Sequence, residues 1–248
     1  MMGELKRWLF LLVLAGLVGC TPQAENVVKK QNLTGLSGGN AEYAQFRSSL
    51  TQDSESLVDD ATRIIISSYE TTIKKHAEEY GFDWRLILAV MKQESSFMEE
   101  AKSVKGATGL MQIMPTTSRE VAHLLEIKDM AKPRNNIRGG IFYLRRLYAM
   151  FDGCEESDRI KLALAAYNAG LARLYDAQEM AAYMHDNPGT WRSIKDALPL
   201  LSKRYYTLHR NIWVGEKPRN GWFGSARETI GYVENIMDYY DEYRLILN

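Results

Sequence analysis

The sequence has few of the residues that cross-link small folds or bind metals. It contains two cysteines, Cys20 and Cys154, in 248 residues, so a disulfide framework is excluded and stability must come from a hydrophobic core. Its four histidines lie far apart, and none shows the spacing of metal ligands; the segment at His76 only superficially resembles a zinc-binding helix. We therefore predict no metal site and no cofactor.

Neither sign of charge is in excess. Thirty-one Lys and Arg residues balance thirty-one Asp and Glu residues, so the chain has no net positive field that would attract a nucleic acid. The composition is 46% hydrophobic and 25% charged, which is typical of a globular protein with one sizeable core. We expect one main domain and no nucleic-acid partner.

The N-terminal apolar run is too short to span a bilayer comfortably. It covers residues 8–18, follows Lys6 and Arg7, and ends in L-V-G-C at Cys20. This pattern resembles the signal peptide of a bacterial lipoprotein, which implies cleavage before Cys20 and lipidation of its thiol. The alternatives are an uncleaved anchor and a plain secretory peptide in which Cys20 is incidental. Thr21, where some lipoproteins have Asp, resembles the class sorted to the outer membrane, facing the periplasm.

Three segments follow from this interpretation. Residues 1–19 are the predicted signal peptide, and residues 20–55 are a lipidated Cys20 with a flexible tether rich in Gln, Asn, Ser, Gly and Thr. Residues 56–248 are the predicted main domain. With Cys20 lipidated, Cys154 has no cysteine left to pair with.

Helical periodicity dominates the predicted domain, and no convincing set of alternating strands appears. One long irregular excursion, residues 209–224, interrupts the pattern. The predicted helices are residues 58–80, a helix capped by Asp83, a short helix opened by a capping box at Thr117–Glu120, an amphipathic helix marked by Ile137 to Phe151, a helix from Asp158 to near Gly170, and residues 227–247. The fold class is therefore all-α.

Glu94 is an acidic residue on an apolar helix face. Trp84, Ile87, Leu88 and Met91 form a stripe with a 3.6-residue period, and Glu94 continues it three residues later. The carboxyl group is therefore directed inward. The spacing alone leaves two interpretations open: a paired structural acid or cap, and a functional acid.

Four motifs, taken in order, resemble one enzyme family. They are E-S-S-F from Glu94, the stretch K-S-V-K-G-A-T-G-L-M-Q-I-M-P from Lys102, A-Y-N-A-G from Ala166, and E-T-I-G-Y-V from Glu228. From about residue 80 to the end, the chain resembles the SLT family of lytic transglycosylases, lysozyme-like enzymes that cut peptidoglycan. The resemblance implies a single α domain of the goose-type lysozyme and SLT kind.

The resemblance also implies roles for individual residues. Glu94 corresponds to the catalytic acid, and an apolar setting would keep such a group protonated for donation to a glycosidic oxygen. The residues that correspond to substrate-binding positions are Ser103, Gln112, Met114, Tyr167, Asn168 and Tyr232.

Each of these residues also has a structural interpretation. Met114, like Met111, could be core packing, and Ser103 could cap a loop. Tyr232 could be an amphipathic core residue, and Asn168 could help to end its helix. For Gly106 and Gly109 a tight turn is the favoured interpretation.

Within the family, residues 191–201 and the closing helix resemble the catalytic domain of membrane-bound lytic transglycosylase F. That branch carries a solute-binding-type domain before its catalytic domain, whereas only a short tether is expected here. The implied reaction is non-hydrolytic cleavage of the MurNAc-GlcNAc β-1,4 bond, leaving 1,6-anhydro-MurNAc ends on peptidoglycan strands. The alternatives are a muramidase of the same fold and a catalytically silent glycan-binding scaffold. The expected partners are peptidoglycan strands, the membrane through lipidated Cys20, and proteins of the cell wall or of secretion-system assembly.

Overall fold

The computed structural model describes residues 58–247. The predicted signal peptide, Cys20 and the tether of residues 20–55 lie outside the described residues. Within residues 58–247, secondary structure is helical apart from two isolated β-bridges, which join Thr108 to Lys102 and to Ile113. The predicted all-α class is confirmed for this part of the chain.

The first helix, α1 (Asp60–Tyr80), lies within two residues of its predicted start. The Asp59 side chain accepts a hydrogen bond from the backbone N–H of Thr62, and Gly81 ends the helix with a φ of 75°. The second helix, α2 (Trp84–Ser95), begins at Asp83, whose side chain accepts from the backbone N–H of Arg85. Both boundaries therefore follow from local capping chemistry.

Of the seven helices that follow, the third, fourth, fifth and ninth of the fold were predicted, and the sixth, seventh and eighth were not. They are α3 (Pro115–Leu124), α4 (Pro133–Ala149), α5 (Glu156–Ala169), α6 (Leu171–Tyr183), α7 (Trp191–Ala197), α8 (Tyr206–Ile212) and α9 (Ala226–Ile246). The predicted capping box at residues 117–120 is wrong, because Pro115 already occupies the first turn of α3 and Met114 is its N-cap. Helix α4 ends before Phe151, which is nevertheless buried.

The predicted excursion is shorter in the structure. After α7, two 3₁₀ segments (Leu198–Leu201 and Lys203–Tyr205) lead into α8, so only residues 213–225 are irregular. Helix α8 was missed because its residues are polar and aromatic; it is held by His209, which is fully buried against Leu200 and Trp213. A second irregular segment, residues 96–114, connects α2 to α3.

Helix α2 is the centre of the core. Ile87, Leu88 and Met91 are completely buried, and each contributes about 1.5–3 kcal/mol relative to exposure. Helix α2 packs between α1 and α9. No helix within residues 58–247 has the length and hydropathy needed to cross a bilayer.

The closing helix is attached to the start of α2 by polar contacts. The Tyr240 hydroxyl donates to Asp83 over 3.1 Å, and the Arg85 guanidinium donates to the carbonyl oxygen of Leu247 over 3.1 Å. These contacts fix α9 along α2, and they set the position of the α9 side chains that face Glu94.

Candidate active site

Glu94 lies in the last turn of α2, with its side chain between solvent and the core. Its Oε1 accepts a hydrogen bond of 2.6 Å from the Tyr232 hydroxyl of α9. Burial raises the pKa of Glu94 from 4.5 to about 7, and the Tyr232 hydrogen bond opposes this rise. The carboxyl group is therefore held near the midpoint of its titration at neutral pH, where it can both donate and accept a proton.

Two tyrosines lie beside this carboxyl group. Burial, followed by the charge of Glu94, raises the pKa of both Tyr167 and Tyr232 well above 10. Both phenols therefore remain protonated and act as donors. Tyr232 donates to Glu94, whereas Tyr167 donates to the carbonyl oxygen of Met111 over 2.7 Å.

The irregular segment of residues 96–114 is held by side chains inside and next to it. The buried Ser95 hydroxyl lies 3.0 Å from the carbonyl oxygen of Leu110. The Gln112 amide nitrogen donates to the carbonyl oxygens of Ala101 and Gly109, over 2.9 Å in each case. This segment is thus ordered by specific hydrogen bonds, although it contains no regular secondary structure.

Asn136 is a key residue of this arrangement that the sequence reading missed. It is 1% exposed in the first turn of α4, where its Oδ1 accepts from the backbone N–H of Met111 over 2.8 Å. Its Nδ2 donates to the carbonyl oxygen of Thr108 over 3.0 Å. One amide side chain therefore pairs the backbone N–H of Met111 and adds a second donor to the Thr108 carbonyl oxygen, which also accepts from the backbone N–H of Ile113 over 3.1 Å.

Two glycines allow the segment to lie directly on α4. A Cβ at Gly109, where φ is 79°, would lie 2.6 Å from the Asn136 amide. A Cβ at Gly140, inside α4, would lie 2.5 Å from Met111. A G-G pair in the interior of an amphipathic helix, preceded by a polar residue on the apolar face, was the available sequence signal for this contact.

The remaining predicted residues of the segment differ in exposure. Ser103 is exposed, and its hydroxyl accepts from the backbone N–H of Ala107 over 3.0 Å. Met114 is 42% exposed, whereas Met111 is completely buried. The structure thus separates the two methionines: Met111 is core packing, and Met114 is available to a ligand.

Asn168 lies at the end of α5 and is exposed. The completely buried Thr229 of α9 donates its hydroxyl proton to Asn168 Oδ1 over 2.8 Å. The bond fixes the amide so that its NH₂ group, rather than its oxygen, remains available for a ligand. Thr229 was missed by the sequence reading, although it lies in the same E-T-I-G-Y-V motif as Tyr232.

Three other acids of the motifs are surface groups. Glu99, Glu100 and Glu228 are exposed, and Glu99 accepts a 2.6 Å hydrogen bond from the Tyr69 hydroxyl. The pKa shift of Glu94 has burial and Tyr232 as its causes, and neither is a second carboxylate. Over residues 58–247, no group of three or more His, Cys, Asp or Glu side chains could hold a metal ion.

A comparison with protein-family models matches residues 71–187 to the transglycosylase SLT domain. Residues 71–187 are therefore similar to an SLT domain. The match includes Glu94 and the A-Y-N-A-G motif, and the α9 residues Thr229 and Tyr232 lie outside it. The predicted family is confirmed.

Curated relatives extend the similarity beyond the SLT match. Two of them, both named membrane-bound lytic murein transglycosylase F, come from Desulfosudis oleivorans and Shewanella pealeana. The first is 37% identical over 176 residues, which are 70% of this chain and 36% of the relative. The second is 37% identical over 177 residues, which are 71% of this chain and 34% of the relative. The chain spans about a third of the length of the curated relatives it matches.

Solved structures show the same fold. The 70-kDa soluble lytic transglycosylase of Escherichia coli matches with a TM-score of 0.51 and 22% identity, over 82% of this chain and 29% of that chain. A complex of a 70-kDa soluble lytic transglycosylase with bulgecin A matches with a TM-score of 0.50 and 23% identity, over the same shares. The predicted lysozyme-like fold of SLT type is confirmed.

Proposed function

We propose that this SLT domain is a peptidoglycan lytic transglycosylase that cleaves the MurNAc-GlcNAc β-1,4 bond without water. The observation that carries the proposal is the state of Glu94. It is a single carboxyl group with a pKa of about 7, and it accepts a hydrogen bond from a tyrosine that stays protonated. The names of the curated relatives support the same reaction class. A silent glycan-binding scaffold is not favoured, because binding alone gains nothing from a buried proton donor.

In the proposed reaction Glu94 acts first as acid and then as base. Protonated Glu94 donates its proton to the glycosidic oxygen, and the bond from MurNAc C1 to that oxygen breaks, releasing the GlcNAc 4-hydroxyl. The Glu94 carboxylate then accepts the proton of the MurNAc 6-hydroxyl as O6 bonds to C1. Glu94 is regenerated in its protonated form, and no water is consumed. Tyr232 stabilises the intervening carboxylate by donating to Oε1.

We propose that the polar groups around Glu94 position the glycan strand. The Asn168 NH₂ group and the exposed Ser103 hydroxyl are suited to the hydroxyl and N-acetyl groups of the sugars. The Gln112 NH₂ group is already used twice within the protein, which leaves only its carbonyl oxygen for substrate. Met114 supplies apolar contact. Tyr167 stabilises the 96–114 segment by donating to the carbonyl oxygen of Met111.

The products of digestion test the reaction. A glycosidase that hydrolyses the bond usually needs a second carboxylate opposite the acid, and the candidates Glu99, Glu100 and Glu228 are surface groups. We therefore expect digested sacculi to yield muropeptides that end in 1,6-anhydro-MurNAc, with no new borohydride-reducible ends, by mass spectrometry. Reducible MurNAc ends instead would identify a muramidase.

The pH dependence of kcat/KM tests the protonation state. Because Glu94 must begin protonated and its pKa is about 7, we expect kcat/KM to fall about tenfold per pH unit above that value. In Tyr232→Phe the hydrogen bond that lowers this pKa is lost, so the alkaline limb should move to higher pH while maximal turnover falls. If the alkaline limb of the profile does not move in Tyr232→Phe, the tyrosine serves only to pack the core.

We also propose that Cys20 carries a lipid that attaches the protein to a membrane, as an outer-membrane lipoprotein facing the periplasm. The support is the L-V-G-C motif and the words "membrane-bound" in the names of relatives. The full chain should partition into the detergent phase of a Triton X-114 extraction, and Cys20→Ala should move to the aqueous phase. Cys154→Ala is the matched control and should partition like the parent; equal partition of both variants would exclude lipidation.

A further inference from the structure

Positive charge is concentrated in one part of a chain whose total charge is zero. Residues 198–227 contain six basic residues and a single acidic one, Glu216. The six are Lys203, Arg204, Arg210, Lys217, Arg219 and Arg227. All six are exposed.

Most of this charge is not neutralised within the protein. Arg210 pairs with Glu216 over 3.3 Å, and Arg219 pairs with Glu179 over 2.8 Å. Over the part of the chain that the structure describes, the other four have no carboxylate partner. The segment therefore presents uncompensated cations to solvent.

We use the name cationic surface for three of these cations, Lys203, Arg204 and Arg227, together with Trp222. The Lys203 ammonium lies over the Trp222 ring, 5.1 Å from its centroid, and Trp222 is 43% exposed. The backbone N–H of Phe223 donates to the carbonyl oxygen of Leu201 over 3.1 Å. This bond joins the two stretches of chain and holds Lys203 beside Trp222.

The cationic surface adjoins the Asn168 end of the candidate active site. Arg173, in the first turn of α6 just after Asn168 and Gly170, donates to the carbonyl oxygen of Gly221. Its guanidinium also lies over the Phe223 ring, 5.8 Å from the centroid. Arg227 is in the first turn of α9, two residues before Thr229, which bonds Asn168.

We infer that the cationic surface binds the free carboxylates of the peptide stems that branch from the glycan strand. The inference rests on the proposed function, which has the strand cut at Glu94 and positioned by the Asn168 amide. Stem carboxylates are anionic at neutral pH, and exposed Lys and Arg groups attract them without burial of charge. An anionic lipid surface is the less favoured partner, since nothing about a membrane requires these cations to adjoin Asn168.

Binding to two forms of purified sacculi tests the inference. The full chain carries Glu94→Gln, so that strands are not cut, and Cys20→Ala, so that a lipid plays no part. It is sedimented with intact sacculi and with sacculi stripped of stems by an amidase. We expect about tenfold tighter binding to intact sacculi, and loss of this preference in 0.5 M NaCl. The added substitutions Lys203→Gln, Arg204→Gln and Arg227→Gln should reduce binding to the level of stripped sacculi.

The matched control removes the same charge elsewhere. Lys75, Lys128 and Lys132 are exposed and have no acidic partner within residues 58–247, so their triple Gln variant should keep the preference for intact sacculi. Equal binding to both preparations, or equal loss in the control, would overturn the inference. So would a triple variant of the cationic surface that loses binding to phosphatidylglycerol vesicles but keeps its preference for intact sacculi.

Failure of this inference is separable from failure of the proposed function. The chain with Glu94 intact is incubated with stripped sacculi, and its products are analysed for 1,6-anhydro-MurNAc ends. If anhydro ends form but binding shows no preference for stems, the proposed lytic transglycosylase activity stands. The cationic surface would then have no part in substrate binding. Absence of anhydro ends on both preparations would contradict the proposed function itself.

Discussion

Replacing Glu94 by Gln will lower turnover of peptidoglycan by about 10³-fold or more. Gln fills the same volume and its Oε1 can still accept from Tyr232, but it has no acidic proton to donate. General acid–base catalysis contributes about 10²–10⁴-fold, and here one group performs both steps. The measurement is release of soluble muropeptides from sacculi under single-turnover conditions. Residual activity within tenfold of the parent would contradict the assignment.

Thermal unfolding separates this catalytic loss from a folding defect. Because the folded-state pKa of Glu94 is raised from 4.5 to about 7, the folded state binds the proton more tightly than the unfolded state. The parent therefore loses stability as pH rises from about 4.5 through 7, whereas Glu94→Gln has no such loss. At pH 8 the variant should melt at or above the parent's Tm; a lower Tm would attribute the lost turnover to misfolding.

Replacing Asn136 by Ala will destabilise the domain by about 2–4 kcal/mol. The substitution leaves the buried backbone N–H of Met111 without a partner, which costs about 1–3 kcal/mol. It also removes one of the two hydrogen bonds to the Thr108 carbonyl oxygen, which costs about 1 kcal/mol more. Urea unfolding monitored by circular dichroism measures the loss. Turnover should fall as well, because the 96–114 segment that carries Ser103 and Gln112 loses its attachment to α4.

Asn135 offers a control of the same residue type one position earlier. It is partly exposed, and its Nδ2 donates to the carbonyl oxygen of Asp129 over 2.7 Å near the surface. Asn135→Ala should cost less than about 1 kcal/mol, because solvent can replace this bond. If both variants lose similar amounts of stability, the effect of Asn136→Ala would come from the start of α4 and not from attachment of the 96–114 segment.

Periodicity and capping predicted most of the fold because they act locally. The apolar stripe of α2 and the cap at Asp83 are encoded within a few residues, so α2 was predicted with Glu94 near its end. The segment at residues 206–212 has no such stripe; its helix depends on His209 packing against Leu200 and Trp213. Tertiary packing of this kind has no signature at short range.

In the candidate site, too, local features were predicted and contacts between distant residues were missed. The inward direction of Glu94 follows from its spacing, and the raised pKa follows from the apolar stripe. Asn136 and Thr229 were missed because each acts on a residue more than twenty positions away, and a polar residue at a helix start is ordinarily explained by the cap. The roles of the residues around Glu94 were named by family resemblance, and they remain predictions.

Tyr232 lies 138 positions after Glu94 in the chain, and this distance has a consequence for biosynthesis. The hydrogen bond to the acid, the bond that orients Asn168 and the contacts at Asp83 and Arg85 all come from α9. A nascent chain that ends before α9 therefore has Glu94 but neither its tyrosine nor its packing partner. Under the proposed function, such an incomplete chain would have the acid without the hydroxyl that stabilises it, so it would not cut the cell wall.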